Sequence, residues 1–118
     1  MCTNYRPTSR DVVRDRFNVQ RPEFEYPEEA YPLSRVPIVR HLKQPGDDGL
    51  ERECVPAFFG LIPPWAKDKT IARKTFNARS ETVGEKPSYR NAWRRRQYCL
   101  VPMDAFYEPN YESGKAVR

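Results

Sequence analysis

Proline sets the first limit on this chain. Twelve prolines are spread over 118 residues, and each one fixes φ and removes a backbone donor. That density argues against an all-helical protein and for turns, irregular segments and short strands. The expected class is mixed α+β, mostly antiparallel β with a few short helices. The length fits one domain, residues 1–118. Hydrophobic residues are 38 % and the mean hydropathy is -0.89, low for a compact globule. The aromatic fraction of 13 % is high, so the core is expected to rest on Phe, Tyr and Trp.

The order of elements follows from local pattern. Residues 8–18 predict a short amphipathic helix capped by Thr8 or Ser9, with Val12, Val13 and Phe17 facing the core. Residues 21–34, rich in Pro and Glu, predict an extended segment. Residues 35–42 predict a strand with an edge or bulge at Pro37, residues 45–49 a turn, and residues 52–60 the returning strand of a hairpin. A stiff loop over 61–66 presents Trp65. Residues 76–83 read as a strand or loop leading into a turn, and 87–96 as a helix with Pro87 near its start. Residues 98–107 predict an apolar strand ending at Glu108 and Pro109. A further turn over 110–115 leaves only three residues, so the chain reads as cut in mid-hairpin.

Net charge is +5 and the pI is near 9.3. Fifteen of the 21 basic residues are Arg, which suits bidentate phosphate contacts. A polyanionic partner and a merely soluble basic protein both fit that balance. Three cysteines at wide spacing, no CxxC pair and a single His (His41) speak against a zinc site and against a disulfide framework. The expected compartment is reducing. No apolar run is long enough to span a membrane, and the N-terminus has no signal-peptide stretch. A cytoplasmic location is expected. Cys54 and Cys99 fall in apolar strands and read as inert core thiols. His41 reads as a packed or exposed strand residue rather than a catalyst.

Cys2 is the residue with distinctive chemistry. It follows Met1 directly and is small enough to permit removal of the initiator. A terminal Cys carries an α-amine and a thiol on adjacent carbons. The amine forms an imine with an aldehyde, and the thiolate then closes a five-membered thiazolidine. Reference pKa values of about 8 and about 8.5 leave both groups partly nucleophilic near neutral pH. The plain alternative is a chance residue in a frayed terminus.

Several islands stand in order: MCTNY at 1–5, FFGLIPPWAKD at 58–68, FNARSETV at 76–83 and KPSYRNAWRRRQYCLVPMDAFYE at 86–108. This pattern closely resembles the SOS response-associated peptidase (SRAP) family, proteins that crosslink to abasic sites in DNA. The resemblance covers essentially the whole chain and about the N-terminal half of the family domain. It implies a fold of packed, barrel-like sheets, here apparently truncated, with unpaired edges exposed. It implies that Cys2 is the nucleophile that captures the aldehyde of a ring-opened abasic deoxyribose as a thiazolidine. By the same resemblance Asn77 orients the reacting sugar, Arg79 grips neighbouring phosphate, Glu108 transfers protons, and Trp65 lines the DNA cleft. One carboxyl at a strand end can serve as both acid and base, particularly if burial raises its pKa. Asn77 alternatively reads as a turn residue, Glu108 as an ordinary strand-end carboxylate, and Arg79 as a partner of Glu81 or Asp68. Arg94, Arg95 and Arg96 can supply phosphate contacts or form a solvated helix end. Trp65, Tyr89 and Trp93 can stack on bases, although the helical position of Trp93 favours core packing.

Two departures from the family stand out. The common start is Cys-Gly-Arg, and the position of that Arg is Asn4 here. The family also has a catalytic His in its C-terminal half, with no matching segment in this chain, and His41 is not in that context. The expected partner is single-stranded DNA carrying abasic sites, with no cofactor, no metal and no membrane, and a monomer when complete. Self-removal of Met1 or of a short leader goes with the family's peptidase label. Two other readings stay open. One is a thiol peptidase using Cys2, which would need a nearby base. The other is a non-covalent single-strand binding module, which would tolerate loss of Cys2.

Overall fold

The computed structural model describes residues 3–44 and 46–108. Strand β1 (Asn4–Pro7) leads into helix α1 (Arg10–Phe17), then β2 (Arg35–His41) and β3 (Arg52–Phe58). A 3-10 turn (Lys69–Arg73), helix α2 (Arg90–Arg94) and β4 (Met103–Tyr107) complete the order. The mixed α+β class is the one expected.

The predicted hairpin forms in full register. β2 and β3 pair antiparallel from Arg35↔Phe58 to His41↔Arg52. Of the edge or bulge expected at Pro37, the edge is found: β2 is one strand of a two-stranded sheet, and its register runs without a bulge. Pro37 stands opposite Pro56, and the ladder needs a donor from neither. The N–H of Val39, two residues on, points away from β3 and donates to Leu100 O at 2.9 Å. Pro37, two residues earlier on the same strand, therefore also sits at a non-hydrogen-bonded pair. Its ring is fully buried.

A second ribbon pairs β1 with β4, running from Asn4↔Tyr107 to Pro7↔Met103 with a register shift between Arg6 and Pro7. The strand predicted over 98–107 is therefore split. Leu100 bridges to Val39 of β2, Pro102 interrupts, and only Met103–Tyr107 joins β1. This segment straps the two ribbons together. Ala30 closes the other side of β1 through paired bonds with Tyr5.

Helix α1 starts after Ser9, which is extended but makes no side-chain capping bond. Asp11 lies in its first turn and Arg14 and Arg16 in its last, which suits the helix dipole. The helix stops at Asn18, in the left-handed conformation. Val13 is fully buried with Val19 and Val39, and Phe17 and Cys54 pack against them. Val12, expected in the core, faces solvent, because eight residues offer one narrow buried stripe. A second cluster joins Tyr5, Ala30 and Val36, with Phe59 against it. Helix α2 is shorter than the predicted 87–96 because turns occupy residues 80–89.

Candidate functional site

Cys2 lies outside the described residues; its neighbour Thr3 does not. Thr3 donates its backbone N–H to Tyr107 O at 2.9 Å, and its Oγ1 donates to Asn4 Oδ1 at 2.8 Å. Asn4 is buried, and its Nδ2 donates to Glu29 Oε1. The residue after Cys2 is thus bonded to the residue before Glu108. Glu108, for which partial burial was expected, is exposed beyond the end of β4. Asn4 takes no phosphate-facing position; its amide is spent inside, on Glu29. Glu29 carried no sequence signal, being one of four glutamates in a Pro-rich stretch.

An aromatic ladder ties β1 to the Asn77 loop. The Tyr5 ring meets Phe59 edge-on at 5.1 Å, and Phe59 meets Phe76 edge-on at 5.9 Å. Asn77 follows Phe76 directly. The Tyr89 hydroxyl donates to Asn77 O at 2.9 Å, so Tyr89, a candidate for base stacking, instead spends its polar end on positioning the loop. Arg79 O accepts from the N–H groups of Thr82 and Val83 at 3.2 and 2.9 Å. The loop is thereby a closed turn, not a strand. Asn77 and Arg79 line a cavity of about 450 Å³ with Lys74, Thr75, Lys86 and Tyr89. Arg79 is exposed and three cations share this cavity, an arrangement suited to anionic oxygen.

Upstream, Gly60 turns the chain at φ +109° against the 3-10 turn. Asp68 caps that turn by accepting from the Thr70 N–H at 2.9 Å and from the Thr70 hydroxyl. These bonds hold the Asp68 carboxyl below its ordinary pKa. The intervening loop leaves Trp65 59 % exposed, as the paired prolines predict. Arg94, Arg95 and Arg96 are all exposed, at the end of α2. Trp93, expected in the core, is 47 % exposed and meets Tyr98 edge-on at 5.5 Å. Cys54 is half-buried as a packed thiol, but Cys99 is exposed and lies outside any strand. His41 is exposed at the end of β2. Among the described residues, no group of three or more His, Cys, Asp or Glu stands close enough to hold a metal ion. No helix among them is long and apolar enough to cross a membrane.

The family model of the SOS response associated peptidase (SRAP) matches residues 1–117. The chain belongs to the SRAP family. The abasic site processing protein YoqW of Bacillus subtilis (strain 168) is 38 % identical over 100 residues, which is 83 % of this chain and 42 % of its own length. The abasic site processing protein HMCES of Gallus gallus is 33 % identical over 89 residues, 70 % of this chain and 26 % of its own. A crystal structure of a protein from Bordetella bronchiseptica superposes with a TM-score of 0.77 at 35 % identity. The match covers 98 % of this chain and 55 % of that one. This SRAP chain spans under half the length of the curated relatives it matches. Its mostly antiparallel strands with few short helices agree with the SRAP fold.

Proposed function

We propose that this SRAP chain captures abasic sites in single-stranded DNA covalently, through Cys2 after removal of Met1. Residues 1–118 are, in this reading, the N-terminal portion of an SRAP domain. The observation that carries the reading is the pairing of Thr3 with Tyr107. It holds the flanks of Cys2 and Glu108 on adjacent strands, with the Asn77 loop braced behind them by Tyr5, Phe59 and Phe76.

The chemistry proceeds in balanced steps. The neutral α-amine of Cys2 attacks C1′ of the ring-opened deoxyribose, forming a C–N bond and a carbinolamine. Glu108 as a carboxylate takes the surplus proton from nitrogen; as a carboxylic acid it gives a proton to the departing hydroxyl, which leaves as water. Sγ of Cys2 then adds to the resulting imine carbon as the C=N π bond opens, the thiol proton passes to nitrogen, and the thiazolidine closes. The net change is loss of one water, and the reverse sequence releases the crosslink. Asn77 orients the sugar, offering one donor and one acceptor group without charge. Arg79 grips the adjacent phosphate, Trp65 packs on a base, and Arg94, Arg95 and Arg96 hold backbone further along. Single-stranded substrate follows from the need to reach the aldehyde outside a stacked duplex. Autoproteolytic exposure of the Cys2 amine belongs to the same proposal.

Intact mass spectrometry tests it. The protein is mixed with a single-stranded oligonucleotide bearing one abasic site, beside Cys2→Ala and Cys2→Ser. The expected product has the mass of protein plus DNA less one water and survives denaturation. It is absent for Cys2→Ala and sparse for Cys2→Ser, because an oxazolidine closes less stably. An equal adduct yield from Cys2→Ala would sink the proposal.

A further inference from the structure

We propose a second nucleotide platform on this protein, built from the Trp93–Tyr98 pair and the Arg94–Arg96 turn. It carries the strand away from the reacting sugar toward the β2–β3 hairpin. This extends, and rests on, the single-strand DNA reading given above.

Four observations meet at this place. Trp93 and Tyr98 are 47 % and 57 % exposed yet pack edge-on against each other. Exposed rings held rigid by a neighbour are the ordinary stacking surface for single-stranded bases. Between them the chain makes a fixed turn. Arg95 N–H donates to Asn91 O, Arg96 N–H to Trp93 O, Gln97 N–H to Ala92 O and Tyr98 N–H to Arg96 O, all at 2.9–3.1 Å. Arg96 is held at φ +54°, a left-handed conformation that a long side chain adopts at a cost. The three guanidinium groups are therefore displayed on an ordered backbone.

The turn has a groove beside it. Gln97 forms one wall of a cavity of about 800 Å³, whose lining also includes Arg40, Lys43 and Glu53. Arg40 and Lys43 are both exposed cations of this groove; the Arg40 charge is partly offset by Glu53, bonded to its Nε at 2.8 Å, so Lys43 is the cation tested below. Mutual bonds between Leu100 and Val39, at 2.8 and 2.9 Å, fix the far side of the turn to β2. The near side is fixed to the candidate site through α2, because Tyr89 at its start holds Asn77. Five helical residues rise about 7.5 Å, so the platform begins within a few nucleotides of the Asn77 cavity.

The sequence is also strongly basic over this stretch. Ten Lys or Arg and three Asp or Glu stand between Trp65 and Gln97. The partner recognised is thus a flexible polyanion that also offers flat faces, which is the chemistry of single-stranded nucleic acid rather than of an acidic peptide.

The test measures non-covalent binding and crosslinking separately, with Tyr98→Ala and Lys43→Gln. Fluorescence anisotropy follows binding of an undamaged 15-nucleotide strand, and denaturing gels follow adduct yield with abasic strands of 3 and 15 nucleotides. Tyr98→Ala is expected to weaken binding of the undamaged strand by about tenfold, the loss of one stacked base. Lys43→Gln is expected to reduce the salt slope of that binding by about 0.7. Both variants should match the parent on the 3-nucleotide abasic strand and crosslink the 15-nucleotide strand more slowly. Parent-like binding and salt slope in both variants would overturn the platform while leaving covalent capture standing. A parent that forms no adduct, with variants that still weaken binding, would instead overturn capture and support the platform. A parent that binds no strand overturns both.

Discussion

Gly60 shows how tightly single residues set the loops around the candidate site. At φ +109° an L side chain is strained, and a Cβ there would lie 2.5 Å from Ala72 O and 2.6 Å from Ala72 Cβ. One partner is backbone and the other a Cβ fixed directly to it, on a fully buried residue with no flexible atoms to move aside. Gly60→Ala is expected to destabilise the protein by at least about 2 kcal/mol, read as a lower urea midpoint. Cys54 makes a second residue-scale prediction. Burial pushes its thiol above the ordinary pKa, so the folded state holds that proton more tightly than the unfolded chain. The stability this gives is complete below the unfolded thiol value of about 8.5 and is lost as pH rises through the folded value. Between pH 8 and 10 the urea midpoint of the parent should fall more steeply than that of Cys54→Ala. Equal slopes would mean that the thiol does not titrate in this range. Glu108→Gln is expected to slow adduct formation about 100-fold in a time course of denaturing gels, with DNA affinity retained. Those three residues differ in how legible they were. Glu108 stood out by motif and Cys54 by its place in an apolar strand, whereas the clash behind Gly60 depends on Ala72, which only folding brings near.

Among the elements, the hairpin was the most legible, because a strong turn signal separates two β-prone runs of matched length. Of the two settings its proline allowed, edge or bulge, the edge is the one found, because whether a proline disrupts a ladder depends on which way its nitrogen points, and pairing decides that. Helix α1 and its N-cap position at Ser9 were both placed correctly, but the side-chain bond of a cap is missing. Ser9 makes no capping bond, so Ser9→Ala should change the thermal midpoint far less than the ~1 kcal/mol typical of a working cap. A large drop would mean that the Ser9 side chain caps the helix in solution. The aromatic ladder is an element-scale device too. Phe59→Leu removes both edge-on contacts and should cost about 1–2 kcal/mol. Crosslinking should slow along with it, since the ladder links β1 to the Asn77 loop. Unchanged crosslinking in a folded Phe59→Leu protein would show that the ladder serves stability alone.

For the molecule as a whole, charge is divided by sequence position. The acidic residues crowd the first half, with Glu23, Glu25, Glu28 and Glu29 in one stretch, and the excess of Arg and Lys lies between Trp65 and Gln97. The net charge of +5 attracts a polyanion before contact. Affinity for an undamaged single strand should fall linearly in log–log form with salt, with a slope near −0.7 for each phosphate neutralised. A flat salt profile in anisotropy titrations would speak against backbone contacts. The sequence by itself determined the class of fold, the hairpin, the exposed Trp65 loop, the SRAP relationship and the residues on which capture is proposed. Those follow from local pattern: proline spacing, turn chemistry and motifs in a fixed order. Tertiary structure alone decided which strands meet. The segment after Cys99 could have continued as one strand, but Pro102 divides it, and its halves bond to β2 and β1 in turn. The same pairing sends Asn4 inward to Glu29, turns Trp93 out beside Tyr98, and brings Thr3 against Tyr107 across more than a hundred residues of chain. Long-range pairing of this kind is set by which apolar faces can be buried together, a property of the assembled chain rather than of any window along it.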